Sequence, residues 1–255
     1  MIRALLERWR QKHRTVAYPA QPPAIPARYR GAPELAPDKC VAGCSACVAA
    51  CPVGAIALAS GAIRIDLGQC LFCGDCAAAC PAGALRFTRD HRVAARHRSE
   101  LIAGTAERRL AQALDAKMKS LFGRSLKLRQ VSAGGCNACE ADTNVLGTVV
   151  FDLGRFGIQF VASPRHADGL LITGPVTENM ALALKKTYDA LPEPRLVIAV
   201  GACAISGGPY AGHAEVRNGA DAVVPVDLYV PGCPPHPVAI LDGLLRLLGR
   251  LDESR

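Results

Sequence analysis

Eight of the chain's twelve cysteines stand in two runs of one pattern, Cys40-x3-Cys44-x2-Cys47-x3-Cys51-Pro52 and Cys70-x2-Cys73-x2-Cys76-x3-Cys80-Pro81. Four thiolates packed into a short run that ends in Cys-Pro is the spacing that holds a 4Fe-4S cluster. In paired runs of this kind the fourth cysteine ligates the other cluster. The spacing therefore predicts one cluster on Cys40, Cys44, Cys47 and Cys80, and a second on Cys70, Cys73, Cys76 and Cys51. The chemistry is electron transfer. The runs also match outside their cysteines, CPVGAI at 51-56 against CPAGAL at 80-85, which marks an internal duplication. Zinc is the competing reading, but a structural zinc site usually draws on two separated ligand pairs. Disulfides suit small secreted domains, and no apolar signal-peptide core follows the first residues. The extra residue between Cys40 and Cys44 departs from the pattern without removing a ligand.

These runs need a scaffold. A chain of 255 residues, half of them apolar, has room for two domains. The net charge of +8 comes from Lys and Arg spread over the N-terminus and the stretch 86-129, without interleaved aromatics, which argues against nucleic-acid binding. No apolar run is long enough to span a bilayer. Residues 1-14 place Ile2, Leu5, Leu6 and Trp9 at helical spacing among basic residues. They read as a short amphipathic helix docked on a partner subunit or lying on an anionic membrane surface. Residues 19-37 are proline-rich and are expected to run extended, outside regular helix or sheet. Residues 38-90 form a module too small for its own core, so the clusters should staple it and metal loss should unfold it. Residues 91 to about 122, rich in Ala, Arg, Glu and Leu, read as a bridging helix.

From 126 on, apolar strand candidates at 126-132, 158-163, 169-174, 195-200 and 222-230 alternate with helical stretches at about 139-150, 177-191 and 235-250. Such alternation argues for a doubly wound α/β domain with a mostly parallel sheet, whose ligands sit outside the carboxyl ends of the strands. The last four cysteines obey that rule. Cys136 and Cys139 follow the first strand, Cys203 the fourth and Cys233 the fifth, so loops from three strands can converge on a third 4Fe-4S cluster. Gly134, Gly135, Gly201, Gly207, Gly208 and Gly232 let the backbone turn and present N–H groups to sulfur. Taken singly, Cys203 or Cys233 would be a buried structural thiol.

GGCNACE at 134-140, SPRHADGLLITGPVT at 163-177, GACAISGGPY at 201-210 and VPGCPPHP at 230-237 resemble the small subunit of complex-I-related nickel-iron hydrogenases of the formate hydrogenlyase type. More distantly they resemble the cluster N2 subunit of respiratory complex I. The N-terminal region resembles the two-cluster ferredoxin-like subunit of the same complexes, so the chain looks like a fusion. The resemblance implies a two-domain fold, α+β then α/β: a 2x(4Fe-4S) ferredoxin-like domain at 38-90 followed by a doubly wound, flavodoxin-like domain at 126-255. Residues 1-37 form the basic helix and arm, and 91-125 the linker. It further implies that Cys136, Cys139, Cys203 and Cys233 bind the cluster nearest a partner's active centre. The separated pair Cys136-Asn137-Ala138-Cys139 resembles the hydrogenases, whereas the complex I subunit has adjacent cysteines. The absence of a twin-arginine signal points to the cytoplasmic, membrane-attached branch.

Three clusters use all twelve cysteines, so nickel must sit on another chain and no complete active site is expected here. Neither GxGxxG behind a strand nor GxxxxGK[ST] is present to support a nucleotide or flavin site. The expected partners are a nickel-iron large subunit, integral membrane subunits and an electron donor or acceptor protein. The expected location is the cytoplasmic side of the inner membrane. Alternatives are a complex-I-like quinone or ferredoxin oxidoreductase subunit and a free-standing carrier, the latter disfavoured by the second domain. Glu140, or His166 with Asp168, could relay protons. The plainer readings are a helix N-terminal charge for Glu140 and a hydrogen-bonded loop for His166. His213 and His236 carry no stronger signal. Asp75, inside the second run, should lower a cluster's potential.

Overall fold

The computed structural model describes residues 2-12, 14-59, 62-104 and 109-251. The basic segment forms helix α1 (Ile2–Gln11), whose Ile2, Leu5, Leu6 and Trp9 are all exposed. The proline-rich arm then runs extended, as expected, with one correction. Residues Pro33–Leu35 form strand β1, and helical turn α2 (Ala46–Ala49) carries Cys47. Strands β2 (Ile56–Ala59) and β3 (Ala62–Asp66) pair antiparallel, α3 (Asp75–Ala78) carries Cys76, and β4 (Leu85–Phe87) pairs antiparallel with β1. Proline is tolerated in β1 because Pro33 opens the strand and the two-stranded sheet is all edge.

The expected bridging helix over 91-122 is corrected. The segment begins extended, with Ala95 exchanging both backbone hydrogen bonds with Tyr229, and strand β5 (Ile102–Ala103) adds to β3. Only α4 (Ala116–Phe122) is helical beyond a short 3-10 turn at Arg98–Leu101, and part of the expected helix, 105-108, lies outside the described residues. Alanine's helix propensity yields to tertiary pairing here, because small Ala94, Ala95 and Ala111 are buried where backbone meets backbone.

The second domain is built on β6 (Leu126–Ser132), α5 (Ala138–Val145), β7 (Ile158–Phe160), β8 (Gly169–Thr173), α6 (Glu178–Asp189), β9 (Leu196–Val200), α7 (Ala202–Ser206), β10 (Leu228–Val230) and α8 (Pro237–Leu247). All five strands are parallel, in the spatial order β7-β6-β8-β9-β10. Renumbered within the domain this is 2-1-3-4-5, a doubly wound order. The central strands β8 and β9 are buried at every residue, as strands covered on both faces must be. Alternate side chains feed two cores. Leu171, Ile198 and Val230 join α8, whereas Leu170, Ile172 and Ala199 join Leu184 of α6, Ile205 of α7 and the apolar residues of the two-run module. The module is thus packed onto the same core as one sheet face.

Helix α8 is buried along its whole length, including Asp242 and Arg246. Arg246 Nε donates to Asp242 Oδ2 at 2.9 Å and Tyr18 Oη donates to Asp242 Oδ1 at 2.6 Å, so the buried carboxylate is shared between helix and arm. Burial, then the Asp242 charge, pushes the Tyr18 hydroxyl far above the ordinary phenol range, and it stays a donor. Arg155 Nη2 also donates to the carbonyls of Val16 and Tyr18, at 2.8 and 2.9 Å. The arm is held by specific bonds as well as packing.

Candidate iron–sulfur sites

The two runs fold alike. Each places its third cysteine in a helical turn, Cys47 in α2 and Cys76 in α3, and both are buried. Each Cys-Pro-x-Gly-Ala segment turns so that an amide four residues on donates to the cysteine sulfur: Ala55 to Cys51 and Ala84 to Cys80, both at 3.2 Å. The residue ahead of the second cysteine is left-handed in both, Gly43 at φ 75° and Phe72 at φ 54°. The extra residue of the first run is therefore absorbed before that point.

The thiols group across the runs. Cys40, Cys44, Cys47 and Cys80 line one cavity, floored by Ile63 and Ala84. Burial raises the Cys47 thiol, and Cys80 and Cys40 raise it further as like-charged neighbours. Burial pushes Cys70 up to about 12, and the thiols that add to the push are Cys76, Cys51 and Cys73. Cys76 is pushed to about 11 by burial, with Cys73 and Cys51 beside it. Each fourth cysteine therefore faces the other run's three, in the grouping that the spacing predicts. Cys80 is the exception in direction. Burial, the largest single influence, pushes it up, but the amide N–H groups of Ala84, Ala82, Leu85 and Gly83 together outweigh it and hold the thiol below the ordinary value.

The remaining four thiols meet at the carboxyl end of the sheet. Cys136 precedes α5, Cys139 lies in its first turn, Cys203 lies in α7 just beyond β9, and Cys233 follows β10. Burial raises Cys139, and Cys203, Cys233 and Cys136 add to the rise together with Glu140. Cys203 is pushed up to about 11 by burial, with Cys233 and Cys136 as neighbours. Gly201 crosses directly under this site: a Cβ there would lie 2.5 Å from Cys139 Sγ, so the cradle has room only for glycine. Four neighbouring thiols that repel one another's charge are a donor set that polycationic iron would satisfy, and thiolate is the ligand such clusters take. All three sets fit 4Fe-4S clusters on that ground. Their exposures differ: Cys70 and Cys76 are buried, whereas Cys136 and Cys233 open to the surface.

Glu140 is more than a helix N-terminal charge. Buried among the ligand loops, its Oε1 accepts from Ser132 Oγ and Thr173 Oγ1, both at 2.6 Å. Burial raises its carboxyl, but the two hydroxyls outweigh it and hold the group below the ordinary range. It pins α5 to the ends of β6 and β8. The proton-relay reading of His166 and Asp168 is corrected, because both precede β8, at the opposite end of the sheet from the cysteines. Asp168 Oδ2 instead accepts the Lys127 amide at 2.7 Å. His213 Nδ1 accepts the Glu215 amide in an exposed turn, and His236 Nδ1 caps α8 by accepting the Val238 amide. Sequence reasoning gave no role to Tyr29, whose ring meets His236 edge-on at 5.4 Å, and no periodic signal marks an arm residue of this kind.

Residues 39–84 match the 4Fe-4S dicluster domain, and residues 136–247 match the family described as NADH ubiquinone oxidoreductase, 20 Kd subunit. A probable membrane-bound hydrogenase subunit, mbhJ, of Pyrococcus furiosus is 39% identical over 59% of this chain and 90% of its own length. An NADH-quinone oxidoreductase subunit of Clostridium beijerinckii is 48% identical over 44% of this chain and 68% of its own. Formate hydrogenlyase subunit 7 of Escherichia coli is 42% identical over 55% of each. The chain belongs to the NADH ubiquinone oxidoreductase 20 kDa subunit family, with a 4Fe-4S dicluster domain ahead of it.

Proposed function

We propose that this chain is the electron-transfer subunit of a multi-subunit nickel-iron hydrogenase related to complex I, and that its twelve cysteines hold three 4Fe-4S clusters. The observation that carries the reading is the gathering of the twelve thiols into three sets of four, two within the module and one at the carboxyl end of the sheet. The first, around Cys40 and Cys44, is half-open; the second, around Cys70 and Cys76, is buried; the third, with Cys136 and Cys233, is open. Two open ends and a buried middle suit a wire between two partners. When bound, each cluster supplies one-electron storage at a potential set by its surroundings. The chain's own residues space the thiols, donate N–H groups to sulfur and keep water from the middle site.

The open third site faces a nickel-iron large subunit in this reading, which interconverts protons and hydrogen. The first site faces a donor or acceptor protein. The complex includes integral membrane subunits and lies peripherally on the cytoplasmic side of the inner membrane. The relatives named for membrane-bound hydrogenase and formate hydrogenlyase support this, as does the separated Cys136 and Cys139 pair. Among the described residues no helix is long and apolar enough to cross a membrane. The test is anaerobic purification of the chain with its partners. A co-purifying large chain that holds nickel, with hydrogen evolution from a reduced donor, is the expected result.

A second reading is favoured by the 48% identity to the Clostridium beijerinckii NADH-quinone oxidoreductase subunit: a complex-I-like oxidoreductase subunit without hydrogenase activity. A nickel-free complex with quinone reductase activity would establish it and overturn the first.

A further inference from the structure

We infer that Gly68, Ser206 and Arg98, with the arm residues Tyr29 and Arg30, form a junction that fixes the Cys70 loop against the Cys203 helix, and so sets the spacing between the second and third clusters. The inference rests on the three-cluster reading above. Gly68 stands two residues before Cys70. Its φ lies outside the left-handed region, so no backbone demand selects glycine there. Space does. A Cβ at 68 would lie 2.7 Å from Ile205 Cγ2 and 2.9 Å from Arg98 Cζ. Ile205 and Ser206 belong to α7, the helix that carries Cys203. Backbone of one ligand loop therefore lies directly on the helix of another.

Polar bonds fix the contact in register. Ser206 Oγ lies 3.1 Å from the Gly68 carbonyl and 3.1 Å from the Ala202 carbonyl, and its one hydroxyl proton is shared between them. Asp66 Oδ1 accepts the Gly68 amide at 2.9 Å, and the same carboxylate takes a bidentate fork from Arg98, at 2.7 and 2.5 Å. A fork of this kind restricts both partners to one orientation. Leu67, fully buried, donates its amide to the Leu101 carbonyl at 2.9 Å, so the approach to Cys70 is anchored from the linker as well.

A second strut crosses from another side. Arg30 Nε donates to the carbonyl of Phe72, inside the Cys70–Cys73 loop, at 2.6 Å. Its neighbour Tyr29 packs edge-on against His236, which caps α8 three residues after Cys233. The arm thereby ties the second ligand loop to the Cys233 loop, while Gly68 ties it to the Cys203 helix. Across the junction one electron would pass between the second and third clusters, one being oxidised as the other is reduced, with no bond made or broken and no proton required. Gly68, Ser206, Arg98, Tyr29 and Arg30 are positioning residues.

The test uses the full chain, isolated anaerobically with its clusters reduced, and reads magnetic coupling between paramagnetic clusters by electron paramagnetic resonance. Wild type should show coupling of the third cluster to the second. Gly68→Ala should weaken that coupling, leave coupling within the first pair of clusters unchanged, and leave iron content and midpoint potentials unchanged. Ser206→Ala and Arg30→Ala, which add no bulk, should weaken it in the same direction, and they decide the matter if Gly68→Ala loses iron. Unaltered coupling in iron-replete Gly68→Ala, or in both milder variants, overturns the junction. Absence of a third cluster signal from wild type would instead refute the cluster reading itself, so the two failures are distinct.

Discussion

Gly201→Ala is the sharpest single-residue test of the third site. Gly201 caps α7 at φ 92° and ψ 154°, an extended positive-φ conformation where an L side chain costs about 1–3 kcal/mol. That cost alone should leave the domain folded. The decisive term is steric, because the new Cβ would sit 2.5 Å from Cys139 Sγ, while ordinary contact begins at 3.4 Å. Sulfur and methyl must separate by 3.4 − 2.5, or 0.9 Å. Metal–ligand distances tolerate only about 0.2 Å. Gly212→Ala is the matched control, since Gly212 has φ 81° and nothing within 4 Å of an added Cβ. The assay is iron and acid-labile sulfide per chain, with paramagnetic resonance of the reduced protein. Wild type and Gly212→Ala should hold about twelve iron, and Gly201→Ala about eight, with the two clusters of the Cys40 and Cys70 runs intact. Gly201→Ala that keeps all twelve and an unchanged third signal would refute the placement of iron between Cys139 and its neighbours.

Crossed ligation predicts that Cys51→Ala damages the cluster of Cys70, Cys73 and Cys76; damage to the Cys40, Cys44 and Cys47 cluster, seen by spectroscopy, would overturn the pairing. Tyr18→Phe removes a buried hydrogen bond to the Asp242 carboxylate and should cost about 1.5–3 kcal/mol in denaturant unfolding, against about 3–5 kcal/mol for Asp242→Ala, which removes the buried carboxylate that Tyr18 and Arg246 both bond. Equal, negligible effects would mean that the arm is not anchored there. Iron chelation should expose the amides of residues 38-90 to hydrogen exchange before those of β6, β8 and β9, because Cys47, Cys70 and Cys76 belong to the module's core; uniform loss of protection would contradict that order.

The sheet was legible because its signals are local: LKLRQVS, GLLIT and LVIAV are strand-length runs, and cysteines follow the first and last of them at the ends where the loops must be. The thiol groupings were legible for the same reason, since the duplication repeats the geometry along with the spacing. What was not legible depends on partners distant in sequence. Ala95 reads as a helix former until Tyr229 is alongside it, and Pro33 reads as a strand breaker until Phe87 offers an edge. Glu140 reads as a helix N-terminal charge until Ser132 and Thr173 close over it. His166 lies in a block that resembles a functional family, yet its position before β8 sets it at the wrong end of the sheet.

The same geometry orders the two clusters of the first module in potential. Adding an electron adds charge, and surroundings that resist a thiolate resist that charge too. Cys70 and Cys76 are both buried at the second site, whereas only Cys47 is buried at the first, so the second site is the poorer in solvation. Asp75 adds negative charge beside it, although its side chain faces solvent and the effect is screened. At the first site burial raises Cys47, while the amides around Cys80 hold that thiol below its ordinary value. The second cluster should therefore be reduced at the lower potential of the two. A redox titration followed by paramagnetic resonance measures the order, with Cys51→Ala identifying which signal belongs to the second site. If that signal titrates at the higher potential, solvation is not the term that sets the order, and hydrogen bonds to the second site, such as Phe72 to Cys70 at 3.3 Å and Ala55 to Cys51, outweigh it.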